Sequence, residues 1–176
     1  MCIRDRGVSI VQGERGPYLA HFARPGDWIG LACALTGQPR KVGLATARDA
    51  SVLHLPLPAI HEIVGQNPAA WRFLALLPLG HLDVAIGAAD DLLIRDHFKR
   101  CVAVLLRLAG CRLASPSGAP PVDVDVNQED LAAMANLART TAGAVLRKLE
   151  AAGQICAAYR RVRILDPDAL RAMLVE

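Results

Sequence analysis

Between residues 131 and 150 the sequence LAAMANLARTTAGAVLRKLE sets Arg139, Thr140, Gly143, Ala144 and Arg147 on one side of a helix, with no acid before Glu150. The opposite side is formed by Ala142, Val145, Leu146 and Leu149, at the i, i+3, i+4, i+7 spacing of a buried face. What faces outward is therefore small or cationic. Small side chains let a helix approach another surface closely, and a guanidinium can donate two parallel hydrogen bonds to a phosphate or to the O6/N7 edge of a guanine. Downstream, QICAAYRRVRILD predicts a β-hairpin with Tyr159, Arg160 and Arg161 at its tip, a second local concentration of positive charge. Solvated Arg and Lys decorate many amphipathic helices for no other purpose than solubility. The basic hairpin beside this one lifts duplex binding above that reading.

These side chains need an element that turns sharply just before Arg139. Asn136 interrupts an otherwise helical run, and Asn tolerates the left-handed conformation of a tight turn. A short first helix is predicted to start after Asn127, a side chain suited to N-capping, with Asp130 three residues on and Leu131, Met134 and Leu137 as its apolar side. The second helix is predicted from Arg139 to Gly153. Two helices joined by a tight turn and followed by a hairpin make a winged helix-turn-helix.

Upstream, VSIV, YLAHF, KVGLAT and SVLHLPL read as short strands separated by turns, so the first third is expected to be β. Pro58 then opens a helix that Gly65 closes, and Asn67 and Pro68 open another, with Pro78 as a kink or restart. Leu79, Leu82, Ile86, Ala89 and Leu93 form one stripe along it, which is either core or the seam of a dimer. Asp96 as N-cap and Gly110 as stop bracket a further helix, RDHFKRCVAVLLRLAG, and ASPSGAPP is a loop by composition.

With 176 residues and 53% hydrophobic content, the chain can bury a substantial core. A net charge of +3 is too small to mark the whole molecule as basic, so any nucleic-acid footprint is local. The five cysteines (Cys2, Cys33, Cys101, Cys111 and Cys156) have no C-x-x-C pair and no His at zinc spacing, and no metal site is expected. No cofactor is evident. His21, His54, His61, His81 and His97 are dispersed, without H-E-x-x-H or G-x-S-x-G patterns, so no catalytic residues are expected. Charges or Pro interrupt every apolar stretch, the start lacks a signal-peptide hydrophobic region, and a cytoplasmic location without membrane partners is expected.

The stretch VDVDVNQEDLAAMANLARTTAGAVLRKLEAAGQI followed by RRVRILDPDALRAM resembles the C-terminal winged helix of the catabolite activator and fumarate-nitrate regulator (Crp/Fnr) family of bacterial transcription factors. LLIRDHFKRCVAVLLRLA resembles the end of that family's dimer helix, with Asp96 at the hinge, and FARPGDWIGLACALTGQPRKVGLATARDASVLHLPLPAIHEIVGQNP resembles the second half of its cyclic-nucleotide-binding β-roll. The resemblance implies an α+β fold: residues 7–66 as a roll truncated at its N-terminal side, 67–95 as connecting and dimerisation helices, and 96–176 as the winged helix-turn-helix. Residues 1–6, MCIRDR, look like a non-native scar. A roll short of its first strands would leave an unpaired edge around Tyr18, Phe22 and Trp28.

Carried over by position, the resemblance implies that Arg139 reads guanine, that Thr141 contacts phosphate, and that Gln128 touches the DNA backbone. Thr140 and Ala144 stand where members have a base-reading Glu and a second base-reading Arg, and Ala138 where a capping Ser is usual. With Arg147, Arg160 and Arg161 these make up the expected DNA-binding set. Leu82, Ile86, Ala89 and Leu93 are the expected dimer contacts. In the roll, Gly30 and Arg40 match a phosphate-binding pair, whereas Leu31 replaces the ribose-binding Glu and Lys41 a small hydroxyl residue. Ala85 and Ile86 offer no hydroxyl where the family meets adenine. The implied function is a homodimeric, sequence-specific transcription regulator on a roughly palindromic operator, with RNA polymerase as a further partner and no response to cyclic AMP. The alternative is an effector-binding or dimer-scaffold protein, or an inactive fragment, without productive DNA binding.

Overall fold

The computed structural model describes residues 6–10, 18–23, 26–40, 42–46, 51–114 and 121–175. Two compact units are present, Met1–Ala85 and Ile86–Glu176.

In the first unit, β1 (Arg6–Ile10) is the middle strand of an antiparallel sheet, between β2 (Tyr18–Ala23) and β3 (Val42–Thr46). Arg6, the last residue of the stretch that looks like a non-native scar, is part of β1 and pairs with Ala23 and Thr46; residues 1–5 lie outside the described part. So do the turn QGERGP, Lys41 and most of the loop ASPSGAPP.

The first third is not all β. Leu31–Thr36 forms α1, held between Gly30 at φ 89° and Gly37 at φ 66°. A helix of six residues is too short to show a 3.6-residue period, and its left-handed glycine ends looked like turns. The expected strand SVLHLPL is corrected too. Residues 51–56 have no strand partner among the described residues, Leu53 is 68% exposed, and Leu57 already begins α2 (Leu57–Gln66). β-branched and aliphatic residues fit a strand but do not make one without a neighbour to pair with. Helix α2 also runs through Gly65 to Gln66.

Helix α3 (Ala70–Leu93) follows a turn in which Asn67 Oδ1 accepts from the Ala69 N–H at 3.2 Å. It continues through Pro78 as one element of 24 residues, about 36 Å at 1.5 Å per residue. The absence of any apolar segment long enough for a bilayer is therefore corrected: by length and composition alone α3 could cross one. From Ile86 onward α3 belongs to the second unit, within which Asp91 is fully buried and ion-paired with Arg107 and Arg112.

The second unit is built around α4 (His97–Ala109), whose Cys101, Val102, Ala103, Val104, Leu105 and Leu106 are completely buried. Each such Leu or Val contributes roughly 1.5–3 kcal/mol relative to exposure. Asp96 Oδ1 accepts from the Lys99 N–H at 2.8 Å as N-cap, and Gly110 closes the helix at φ 73°, as the sequence predicts. Burial pushes the Cys101 thiol up to about 12, so it is a neutral packing group. Around α4 lie β4 (Val122–Val124), α5 (Gln128–Met134), α6 (Arg139–Ala151) and α7 (Pro167–Val175). The hairpin β5 (Ile155–Ala158) and β6 (Arg161–Ile164) joins β4 in an antiparallel sheet of order β4-β6-β5.

Candidate nucleic-acid interface

The turn before α6 has the predicted chemistry. Asn136 adopts φ 50°, and α5 starts with Asn127 Oδ1 accepting from the Asp130 N–H at 2.8 Å while Asn127 Nδ2 donates to Asp130 Oδ2 at 2.7 Å. Leu131 and Met134 are buried, as are Ala142, Val145, Leu146 and Leu149, which seat α6 on α5 and α4.

The first turn of α6 is poor in stabilising features. Its N-cap is Ala138, which makes no side-chain hydrogen bond, and no acid occupies the first turn. Relative to Ser or Thr an Ala cap costs about 1 kcal/mol. Arg139 at the positive end of the helix dipole costs a further few tenths, about 0.3–1 kcal/mol. Stability cannot be why these residues stand here. An uncapped N-terminus with first-turn N–H groups open and a guanidinium beside them is suited to an incoming anion.

Arg139, Thr140, Ala144 and Arg147 are exposed and Thr141 is half-buried, so they share the outer side of α6. Gly143, expected outward, is buried instead. A Cβ there would lie 3.4 Å from Gln128 Oε1 and 3.5 Å from Arg147 Nη1, so the side chains of Gln128 and Arg147 cover it. The structure thereby brings Gln128, at the start of α5, next to the outer face of α6.

At the wing, Tyr159 is 92% exposed and Arg160 turns the chain at φ 55°. Burial pushes the Asp130 carboxyl above its ordinary value, and the charge of Arg160 opposes that shift. Arg161 is not at the tip. It begins β6 with Nε 3.2 Å from Asp125 Oδ1 and Nη1 3.6 Å from Asp123 Oδ2, while Arg163 donates to both oxygens of Asp123 at 2.8 and 3.0 Å. The acidic strand VDVDV thus takes up two of the arginines that made the hairpin look strongly basic. The alternation of Asp with Val in VDVDV is visible in the sequence, whereas its pairing with RVRI comes only from the register of β4 on β6.

Two further contacts set the geometry and were not foreseen. Glu150 Oε1 accepts from the Ala157 N–H at 2.9 Å, anchoring the wing to the end of α6. Lys148 lies 4.5 Å from the centre of the Phe98 ring, holding α6 to α4.

The expected roll residues are partly assembled. Gly30 and Arg40 are neighbours, the guanidinium lying 3.1 Å from where a Gly30 Cβ would sit, and Leu31 is buried at the start of α1. Lys41 lies outside the described residues. On α3, Leu82, Ile86 and Leu93 are 53%, 58% and 79% exposed and Ala89 is exposed, a continuous apolar stripe uncovered within one chain. Among the described residues no group of His, Cys, Asp and Glu could hold a metal ion.

Residues 99–173 match the Crp-like helix-turn-helix domain. No curated protein sequence matches the chain. Among solved structures it is similar to a CRP-family transcriptional regulator from Thermus thermophilus, at 25% identity and a TM-score of 0.71 over 99% of this chain and 87% of that one. FixK2 from Bradyrhizobium japonicum is 19% identical with a TM-score of 0.76, over 98% and 84% of the two chains. The c-di-GMP-responsive global regulator CLP of Xanthomonas campestris is 21% identical with a TM-score of 0.64, over 94% and 83%.

Proposed function

We propose that the chain, whose residues 99–173 match the Crp-like helix-turn-helix domain, is a Crp/Fnr-type transcription regulator that binds DNA, working in the cytoplasm as a homodimer that reads a roughly palindromic operator with half-sites about one helical turn apart. The observation that carries this reading is the start of α6, where Ala138 leaves the helix uncapped and Arg139 opposes the helix dipole on an exposed, acid-free face. In this reading Arg139 reads guanine, Thr141 and the first-turn N–H groups bind phosphate, and Gln128, Thr140, Ala144 and Arg147 line the approach. Arg160 adds a phosphate contact from the wing. Arg161 contributes charge only in part, because Asp123 and Asp125 hold it. The stripe Leu82, Ile86, Ala89 and Leu93 would close against its own copy, at the 3- and 4-residue spacing of a two-helix seam. RNA polymerase is the expected further partner.

The test is binding of the full chain to random duplex at low salt, followed by selection of a preferred sequence. Phosphate-driven binding must appear on any duplex and fall steeply with salt, and the selected sequence must be two-fold symmetric. A chain that binds no duplex at low salt leaves the dimer-scaffold reading in place.

The roll is proposed not to take cyclic AMP. Leu31 puts an apolar side chain where the ribose hydroxyl needs an acceptor, leaving that group unsatisfied at a cost of roughly 1–3 kcal/mol. Ala85 and Ile86 supply no hydroxyl toward adenine. Calorimetry with cyclic AMP and, separately, c-di-GMP tests this: micromolar cyclic AMP binding coupled to tighter DNA affinity contradicts it.

A further inference from the structure

Asp91 has no solvent exposure, yet it carries a carboxylate on the last turns of a helix whose opposite side is open. Its Oδ2 accepts from Arg107 Nε at 2.8 Å and its Oδ1 from Arg112 Nε at 2.8 Å, so each oxygen is held by a different guanidinium. Arg107 comes from the interior of α4 and is itself almost fully buried, and Arg112 follows the end of that helix. One turn back along α3, on the same side, a Cβ on Gly87 would lie 3.6 Å from the Arg107 stem, so the side chain crosses α3 between Gly87 and Asp91. Arg112 also reaches Asp90 at 3.5 Å.

The other end of α4 carries a second clamp. Arg100 Nη1 donates to the Ile94 carbonyl at 2.7 Å, just beyond α3, and its Nε donates to the Ala135 carbonyl at 2.7 Å, in the turn between α5 and α6. One planar guanidinium thus holds the exit of the long helix and the turn that aims α6. A buried carboxylate is tolerated only with such partners, and a planar donor fork fixes direction as well as distance.

On the remaining side of the same two turns of α3 lie Ile86, Ala89 and Leu93, exposed. This juxtaposition gives a continuous path from seam residues through Asp91 and Arg107 to α4, and through Arg100 to the turn at Ala135 and Asn136. Resting on the reading of the chain as a two-fold DNA-binding dimer, we propose that Asp91, Arg107, Arg112 and Arg100 are positioning residues that bolt the reading head to the last turns of α3. The spacing and angle of the two α6 helices are then set by the seam. None of the four residues is assigned a contact with DNA. Their effect is on how two heads cooperate, not on how one head reads.

That distinction supplies the experiment. The full chain, Asp91→Asn and Arg112→Gln are each measured against the palindrome selected by the wild-type chain, against the same half-sites moved apart by one and two base pairs, and against a single half-site. Each inserted base pair rotates one half-site by about 35° relative to the other. A bolted wild type loses roughly tenfold or more in affinity at two inserted base pairs, because both heads can no longer dock at once. In Asp91→Asn the palindrome affinity falls and the loss on insertion shrinks to within about threefold, while single half-site affinity stays within about twofold of wild type.

Asp91→Asn leaves two arginines facing a neutral amide in the interior, so Arg112→Gln, at a side chain 23% exposed, repeats the test with less disturbance and is expected to give an intermediate profile. A wild type indifferent to spacing, or variants that bind the half-site normally and keep the wild-type spacing profile, overturns the bolt. A wild type that prefers no selected palindrome over scrambled duplex overturns the DNA-reading function itself, which is a different result.

Discussion

Replacing Asn136 probes the turn without touching DNA or the core. The residue is exposed, sits at φ 50°, and its N–H donates to the Ala133 carbonyl at 3.1 Å, so the side chain has no packing to lose. An L-residue with a Cβ costs roughly 1–2 kcal/mol in the left-handed region, Asn less than most, and a β-branched residue sits at the upper end. Asn136→Val should therefore destabilise the second unit by about 1–2 kcal/mol. Asn136→Gly should fall within about 0.5 kcal/mol of wild type, because relief of strain offsets the greater freedom of Gly in the unfolded chain. For a domain of this size the Val variant then melts about 4–15 °C lower. Thermal unfolding followed by circular dichroism measures both. Equal melting of the Val and Gly variants would refute the argument that backbone conformation selects Asn here.

Four other outcomes are expected. Asp96→Ala loses the cap on Lys99 N–H and about 1 kcal/mol of stability, read by denaturant titration. The same backbone hydrogen bond holds the Asp96 carboxyl below its ordinary 3.8, so its contribution is complete above that value and disappears as pH falls through the lower folded value; the stability gap between wild type and Asp96→Ala should narrow in acid. Leu149→Ala, at a fully buried site between α6 and its supports, should cost about 2–5 kcal/mol by the same titration. Arg160→Ala should weaken binding to all duplexes alike and reduce the salt slope by about one, while Arg161→Ala, held by two aspartates, should change that slope less.

The helix-turn-helix unit is legible because its signals are local. Asn127, Asn136, Asp96 and Gly110 each act on backbone within a few residues, and α6 is long enough to show its buried stripe. Helix α1 leaves no signature in the sequence because six residues between two glycines carry no period, and SVLHLPL departs from the expected strand because strand propensity has no force without a pairing partner. The contacts that position the site are distant in sequence, and composition does not disclose them. Arg100 meets the Ala135 carbonyl 35 residues away, Arg107 meets Asp91 across 16, and Arg163 meets Asp123 across 40. For the same reason the wing looked more basic than it is. Counting arginines in RRVRI shows the charge, and only the register of β4 on β6 shows that Asp123 faces Arg163.

Whether the start of α6 reads base sequence is decided by measuring Arg139→Ala on the selected palindrome and on a scrambled duplex at one salt concentration, by fluorescence anisotropy. A base-reading Arg139 gives a loss of roughly 1–3 kcal/mol per reading head on the selected sequence, relaxed preference at one base pair of each half-site, and a much smaller loss on the scrambled duplex. Equal losses on both duplexes would contradict it, leaving Arg139 as one more phosphate contact.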